Sequence, residues 1–220
     1  FISNLNGVEC ESYSNTVTVT IDTSTSTTAV LNSNKLSNTI CSTETSTILF
    51  TADPDPSASK YEFYVSGILE QSSNVSRTFE LPRLSVVDGL TVSVRVYNGS
   101  SFNCYNEDEI IVKINDVQAG TITGTQSVCQ TSTNTILLNT LTSGSINGAP
   151  AVNGDYQWQY SADNINWSDI GLNANNASYV IPFNSTHPTR YYRRLVIGTL
   201  LGVPCSAPTA SVKITVSPNP

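Results

Sequence analysis

The chain has 220 residues, no Met, a formal net charge of −7 from 10 Lys+Arg against 17 Asp+Glu, and only 12% charged residues. That length holds one large or two ordinary domains, each able to bury a usable core, while the acidic balance repels phosphate backbones and argues against nucleic acid as a partner. There is no basic segment leading into an apolar one and no 18-residue apolar run, so any signal peptide or membrane anchor is expected to lie outside these residues.

The first stretch to carry information is GVECESYSNTVTVTI at 7–21, which overlays GVPCSAPTASVKITV at 202–216 without a gap. Gly7 falls on Gly202, Val8 on Val203 and Cys10 on Cys205, and the tail Val17, Val19, Ile21 falls on Val212, Ile214, Val216. Residues 1–22 therefore read as the closing hairpin of a preceding repeat. Further along, ICSTETSTILF at 40–50 overlays VCQTSTNTILL at 128–138, with Cys41 on Cys129. KYEFYV at 60–65 answers DYQWQY at 155–160, with Phe63 on Trp158. TVSVRVYNGSSFNC at 91–104 then answers RYYRRLVIGTLLGVPC at 190–205, and Ile110, Val112, Ile114 repeat the closing alternation. The same order of features in both long copies predicts complete repeats over 23–116 and 117–220. The junctions IDTSTSTTA and INDVQAG are short and polar, which predicts limited bending between units.

Strand signals dominate. TVTVTI, TVSVRV, EIIVKI and ASVKITV alternate with period two and are rich in Val, Ile and Thr. Asn98-Gly99, Asn147-Gly148 and Asn153-Gly154 mark turns between them, and no segment carries a helical apolar stripe. The predicted fold is all-β, tandem immunoglobulin-like β-sandwich repeats of roughly seven strands each, with Phe63 and Trp158 as the core aromatic of the third strand. Alternation puts Tyr156, Trp158 and Tyr160 on one face of that strand, Gln157 and Gln159 on the other. Trp167, in NINWSDI, falls where a hairpin turn is expected. It either packs against the sheet or contacts a ligand.

Five Cys is an odd number, explained if each whole repeat supplies an early and a late Cys and the leading fragment only its late one. The expected bridges are Cys41–Cys104 and Cys129–Cys205, with Cys10 unpaired in this stretch; pairing between neighbouring repeats, such as Cys104 with Cys129, is the alternative. Closing such a loop is worth roughly 4 kcal/mol on the chain-entropy model, and the early Cys, lying before the second strand, would tie strand ends near one pole. Disulfides imply an oxidising place: the periplasm, the cell surface or the exterior.

Catalytic material is scarce. His187, the single His, stands in the polar run FNSTHPT without a Cys or acid at dyad spacing, and reads as a solvated loop residue. Asp53/Asp55 and Glu107-Asp108-Glu109 read as loop acids, either a weak calcium site or a solvated turn. No CxxC, phosphate loop, nucleophile elbow or HExxH occurs, so the expectation is a non-enzyme with no cofactor and no metal. In TRYYRRLV, alternation sends Arg194 and Tyr192 to one face and Arg193 and Tyr191 to the other. Arg194 is expected to stack on Trp158 or Tyr156, and the alternative makes Trp167, Arg194 and Tyr192 ligand contacts for sugars or acids. Asn-x-Ser/Thr triplets begin at Asn74, Asn98, Asn166, Asn176 and Asn184, and matter only in a eukaryotic source.

The string from YQWQYSADNINWSDI through TRYYRRLVIG to the late Cys resembles the immunoglobulin-like repeats of giant Bacteroidetes cell-surface adhesins, the SprB-like gliding-motility adhesins. The likeness covers 118–217 well, 29–115 more loosely and 1–22 as a fragment. Residues 23–116 depart from it, with Phe63 in place of Trp and Val92-Ser93-Val94-Arg95 in place of the Tyr/Arg run. The resemblance implies export by the type IX secretion system, attachment to the outer membrane at the cell surface, and a role in gliding or surface attachment. The implied partners are neighbouring repeats, the secretion and gliding machinery, and surface glycans. The other reading is a spacer or carbohydrate-binding module of a secreted polysaccharide-degrading enzyme.

Overall fold

A computed structural model of the chain describes residues 2–5, 8–11, 28–98, 104–129, 135–171, 174–182 and 187–218, with side chains from residue 28 onward. The expected strand at Val17, Val19 and Ile21, the glycines Gly7 and Gly99, and Asn184 lie outside the described residues. A leading hairpin pairs β1 (Ile2–Leu5) with β2 (Val8–Glu11). Two β-sandwiches follow.

The first contains β3 (Leu31–Ser33), β4 (Thr39–Cys41), β5 (Ile48–Ala52), β6 (Ala58–Val65), β7 (Ile68–Ser73), β8 (Thr78–Leu81), β9 (Thr91–Asn98), β10 (Tyr105–Ile111) and β11 (Lys113–Asn115). One sheet has the order β3-β5-β8, and the facing sheet β10-β9-β6-β7. The central strand β9 shows why the alternating pattern folds this way. Its Val92, Val94 and Val96 are fully buried, while Arg95 between them points outward to Glu107 at 3.2 Å. Phe50, Phe63 and Phe79 fill the space between the sheets, with ring centroids 6.4 Å and 5.6 Å apart along the row. Each such side chain contributes roughly 2–3 kcal/mol of burial.

The second contains β12 (Val117–Gln118), β13 (Thr121–Thr123), β14 (Gln126–Cys129), β15 (Ile136–Thr142), β16 (Ser145–Ile146), β17 (Ala149–Pro150), β18 (Tyr156–Ser161), β19 (Ser168–Asp169), β20 (Tyr179–Ile181), β21 (Arg190–Leu200), β22 (Val203–Pro208) and β23 (Val212–Ser217). Its sheets repeat the first plan as β13-β15-β20 against β14-β23-β21-β18-β19. In both units an early strand runs parallel to the last one, β4 beside β11 and β14 beside β23. The chain is thus all-β, with tandem immunoglobulin-like sandwiches.

The acids Glu107-Asp108-Glu109 are not in a loop. They lie on β10, in register with Arg95, Val94 and Ser93 of β9. Ladder pairing overrides their polarity, because Glu107 finds Ser93 and Arg95 on the sheet face, and Asp108 accepts the backbone N–H of Leu31 at 2.7 Å. Asp55 is likewise committed to the chain, accepting from the backbone N–H groups of Thr28 and Ser57 at 2.6 and 2.8 Å. The Ser57 hydroxyl and these backbone donors hold its carboxyl at about 2, well below the usual range.

Candidate functional site: the domain junction

The junction is built from the end of one sandwich and a hairpin of the next. After Val112 the last strand continues as β11, in parallel register with β4: Lys113 beside Thr39, Ile114 beside Ile40, Asn115 beside Cys41. From the second domain, β21 and β22 form a hairpin whose two-residue turn, Leu201-Gly202, takes left-handed φ of 49° and 80°. That is the geometry of a type I′ turn, which the Gly accommodates. The hairpin places Cys205 opposite Gly198.

Asn115 is fully buried where these parts meet and donates its side-chain amide to the carbonyls of Gly198 (2.9 Å) and Val203 (3.0 Å). Ser42 donates its N–H to Asn115 O at 3.1 Å, and its hydroxyl accepts the N–H of Val117 at 3.1 Å. Asp116 and Asn147 bond to each other twice across the same seam, at 2.7 and 2.8 Å. Gly198 is here because nothing larger fits. A Cβ at that position would stand 2.7 Å from Ile146 and 3.1 Å from Val117. Cys41 packs from the first domain against the cluster of Val117, Tyr156, Val196 and Ala207.

A disulfide closes the seam. Cys41 is bonded to Cys205, with Cα atoms 5.5 Å apart and a sequence separation of 164. Both expected bridges within single repeats are corrected by this, as is the expectation that each bridge ties one pole of its own domain. Cys41 lies beside Asn115 at the exit end of the first sandwich, whereas Cys104 precedes β10 at the opposite end. The eleven residues from Tyr105 to Asn115 run as nearly continuous strand and span roughly 35 Å. A disulfide requires Cα atoms within about 7 Å, so Cys41–Cys104 cannot form. The second sandwich repeats the arrangement: Cys129 pairs in register with Ser217 at the exit end, and Cys205 sits at the entry end. Pairing between neighbouring repeats, the alternative, is what forms, but through Cys41 and Cys205; Cys104 and Cys129 are free and exposed, at the two ends facing away from the junction, and do not bond to each other. Cys10 lies on β2, where the described structure is backbone alone.

Beside the seam is an open cleft of about 530 Å³, lined by residues including Ser42, Arg83, Val86, Asp88, Asp116 and Asn147. Arg83 reaches across it to the carbonyls of Val86 at 3.2 Å and Ser42 at 3.5 Å. Asn115, Ser42 and Gly198 belong to no motif in the sequence. The available signal was the overlay itself, which aligns the early cysteines but does not disclose that their strand runs parallel to the last one.

The residues weighed as ligand contacts are distributed otherwise. Trp158 is fully buried, and its indole N–H donates to Asn176 O at 2.9 Å. Arg194 faces it across the β18–β21 ladder and is also fully buried. The Arg194 guanidinium lies 4.5 Å over the Tyr156 ring and donates to Ala177 O (2.8 Å), Ala119 O (3.1 Å), Thr142 O (3.3 Å) and the Thr140 hydroxyl. No carboxylate is among these partners, and burial lowers the Arg194 pKa. Tyr192 is 2% exposed and meets His187 Nε2 at 2.9 Å. Burial pushes the Tyr192 phenol up to about 12. His187 is half-buried over that ring rather than solvated, and its pKa is lowered, by burial above all. Trp167 alone of the three retains a surface: it is half-exposed with Arg193 4.2 Å above its ring. Arg193 in turn donates to Gln159 Oε1 at 2.7 Å. Asp163 organises the Trp167 turn by accepting from Ile165, Asn166 and Ser161, and the Asn166 and Ile165 N–H groups hold its carboxyl below the ordinary range.

Fold and junction together define a tandem immunoglobulin-like repeat segment with a covalent joint between its units. Residues 118–218 match the model of a family described as a domain of unknown function, DUF8696, so the second unit is similar to that family. No curated protein matches the chain. Among solved structures, the three N-terminal domains of the bacteriophage RB49 highly immunogenic outer capsid protein (Hoc) are similar, with TM-score 0.53 and 10% identity over 87% of this chain and 71% of that one. Fibronectin(III)-like modules of Clostridium thermocellum CbhA give TM-score 0.44 and 15% identity over 87% and 95%. A 1.5-MDa bacterial ice-binding adhesin gives 0.42 and 15% over 90% and 67%. The likeness to the capsid domains is one of fold.

Proposed function

We propose that this chain is shaft: a segment of a large cell-surface adhesin, attached to the outer membrane after export by the type IX secretion system, that serves gliding motility or surface attachment. The observation that carries the reading is the junction. A disulfide and a buried Asn, both carried on the parallel β4–β11 pair of the first sandwich, join it to the next, a device for transmitting tension and orientation along an array. Burial of Arg194, Tyr192 and Trp158 supports it, since most of the residues suited to hold a ligand are spent on packing. The resemblance of 118–217 to adhesin repeats supplies the export route and the location.

The second reading, a spacer or carbohydrate-binding arm of a secreted polysaccharide-degrading enzyme, is favoured by one observation, the half-exposed Trp167 under Arg193. The test is to label intact cells with antibody against these residues, size the labelled chain, and probe the purified 220-residue protein on a glycan array. A shaft gives surface label on a chain of several hundred kilodaltons and no glycan binding. A modest chain with a catalytic domain, or glycan binding lost in Trp167→Ala, supports the second reading instead.

A further inference from the structure

We propose that Cys104 and Cys129 are the outward halves of two more interdomain disulfides, so that Cys129 takes the late Cys of a following immunoglobulin-like repeat and Cys104 takes the early Cys of a preceding one. The inference stands on the junction geometry and not on the adhesive reading. Cys129 occupies on β14 the place that Cys41 occupies on β4: each is the last residue of a short strand parallel to the closing strand, in register with Ser217 and Asn115 respectively. Cys41 at that place is bonded across the seam. Cys104 stands at the entry end of its domain, as Cys205 does, and Cys205 is the other half of the same bond. Both unbonded cysteines are exposed at the ends where a neighbour would dock.

The leading hairpin shows what such a neighbour brings. In β1–β2, Leu5 pairs with Val8 and Ser3 with Cys10, and in β21–β22, Leu200 pairs with Val203 and Gly198 with Cys205. The register is the same to the residue, so β1–β2 reproduces the late-Cys hairpin of another repeat. Ser217 stands in place of Asn115 at the outer end, so that joint lacks the buried amide and depends more on its disulfide.

Formation is ordinary thiol oxidation. The two thiols release two protons, their two electrons reduce the S–S bond of a thiol–disulfide oxidoreductase to a dithiol, and one Sγ–Sγ bond forms. The bonds are staggered, each running from an early Cys to the late Cys of the next unit. Successive loops therefore overlap, and a covalent path along the array crosses only the 25 positions from Cys104 to Cys129 for every two repeats. Fully drawn out, 25 residues reach about 90 Å, not far beyond two sandwiches end to end at roughly 35 Å of strand each. An array clipped in this way scarcely lengthens under tension even if its domains unfold.

The test is disulfide mapping of the full natural chain, alkylated in denaturant before any reduction, digested and analysed by mass spectrometry. The expected result is a Cys104 peptide linked to an early-Cys peptide of the preceding repeat and a Cys129 peptide linked to a late-Cys peptide of the following one, both separating on reduction. An alkylated thiol at either position, or a link from Cys104 to Cys41 or to Cys129, overturns the proposal.

Discussion

The side-chain amide of Asn115 donates to the carbonyl of Gly198 at 2.9 Å, joining the last strand of one sandwich to the central strand of the next. Asn115→Ala takes that donor from the buried carbonyl of Gly198 and the half-buried one of Val203, at a cost of about 1–3 kcal/mol. Gly198→Ala forces Ile146 and Val117 aside and costs about the same. Urea denaturation of each variant reads these losses, and full stability in both variants contradicts the assigned role of the seam.

Arg194 and Trp158 form the second unit's central cross-strand pair. Arg194→Met takes a donor from the carbonyls of Ala119, Thr142 and Ala177, of which Ala177 keeps the Thr140 hydroxyl, and is expected to cost about 3 kcal/mol. Arg194→Lys recovers little, because an ammonium cannot serve those acceptors from one fixed plane. Trp158→Ala is expected to cost about 3–5 kcal/mol through the cavity it leaves. Thermal melts should rank all three below wild type, whereas Trp167→Ala stays within about 0.5 kcal/mol.

Glu62 makes the first unit acid-sensitive. It is 8% exposed. Burial by itself raises its pKa, but Lys60 at 2.8 Å and the hydroxyls of Tyr97 (2.6 Å) and Tyr64 (2.7 Å) outweigh that and hold it at about 2. A folded value below the unfolded one of about 4.5 contributes stability that is complete above that unfolded value and is lost as pH falls toward 2. Wild-type stability is therefore expected to drop by on the order of 2 kcal/mol between pH 5 and pH 2 from this group. Glu62→Gln is less stable at pH 7 and shows a shallower acid slope. Equal slopes in the two proteins refute the assignment.

The clip governs mechanical behaviour. When the 220-residue chain is pulled from its ends, force passes from Cys41 to Cys205 through sulfur, and the segment between them stays out of the force path. Under oxidising conditions no extension from that segment is expected. Adding dithiothreitol should release roughly 570 Å for 164 positions at full extension. Steps of that total length without reductant contradict the bond.

The fold was legible because its signals are local. Val92, Val94 and Val96 alternate and are buried, Trp158 and Phe63 are the core aromatics of equivalent strands, and the stacking of Arg194 on Tyr156 follows from two-residue periodicity along β21 and β18. The junction was not legible, for a physical reason. Overlaying two copies shows which cysteines are equivalent but not at which end of a domain each one lies. That depends on β4 running parallel to β11, a contact between residues more than 70 positions apart. The acids of β10 read as loop residues in the sequence for a related reason, since their ladder partners Ser93 and Arg95 lie across a hairpin.

Disulfide mapping of the 220-residue protein tests the covalent junction most directly. Alkylation before digestion should yield one linked pair of peptides, carrying Cys41 and Cys205, with Cys104 and Cys129 recovered as alkylated thiols. Linked pairs Cys41–Cys104 and Cys129–Cys205 would instead place each bond within a single sandwich and leave the two domains free to move apart.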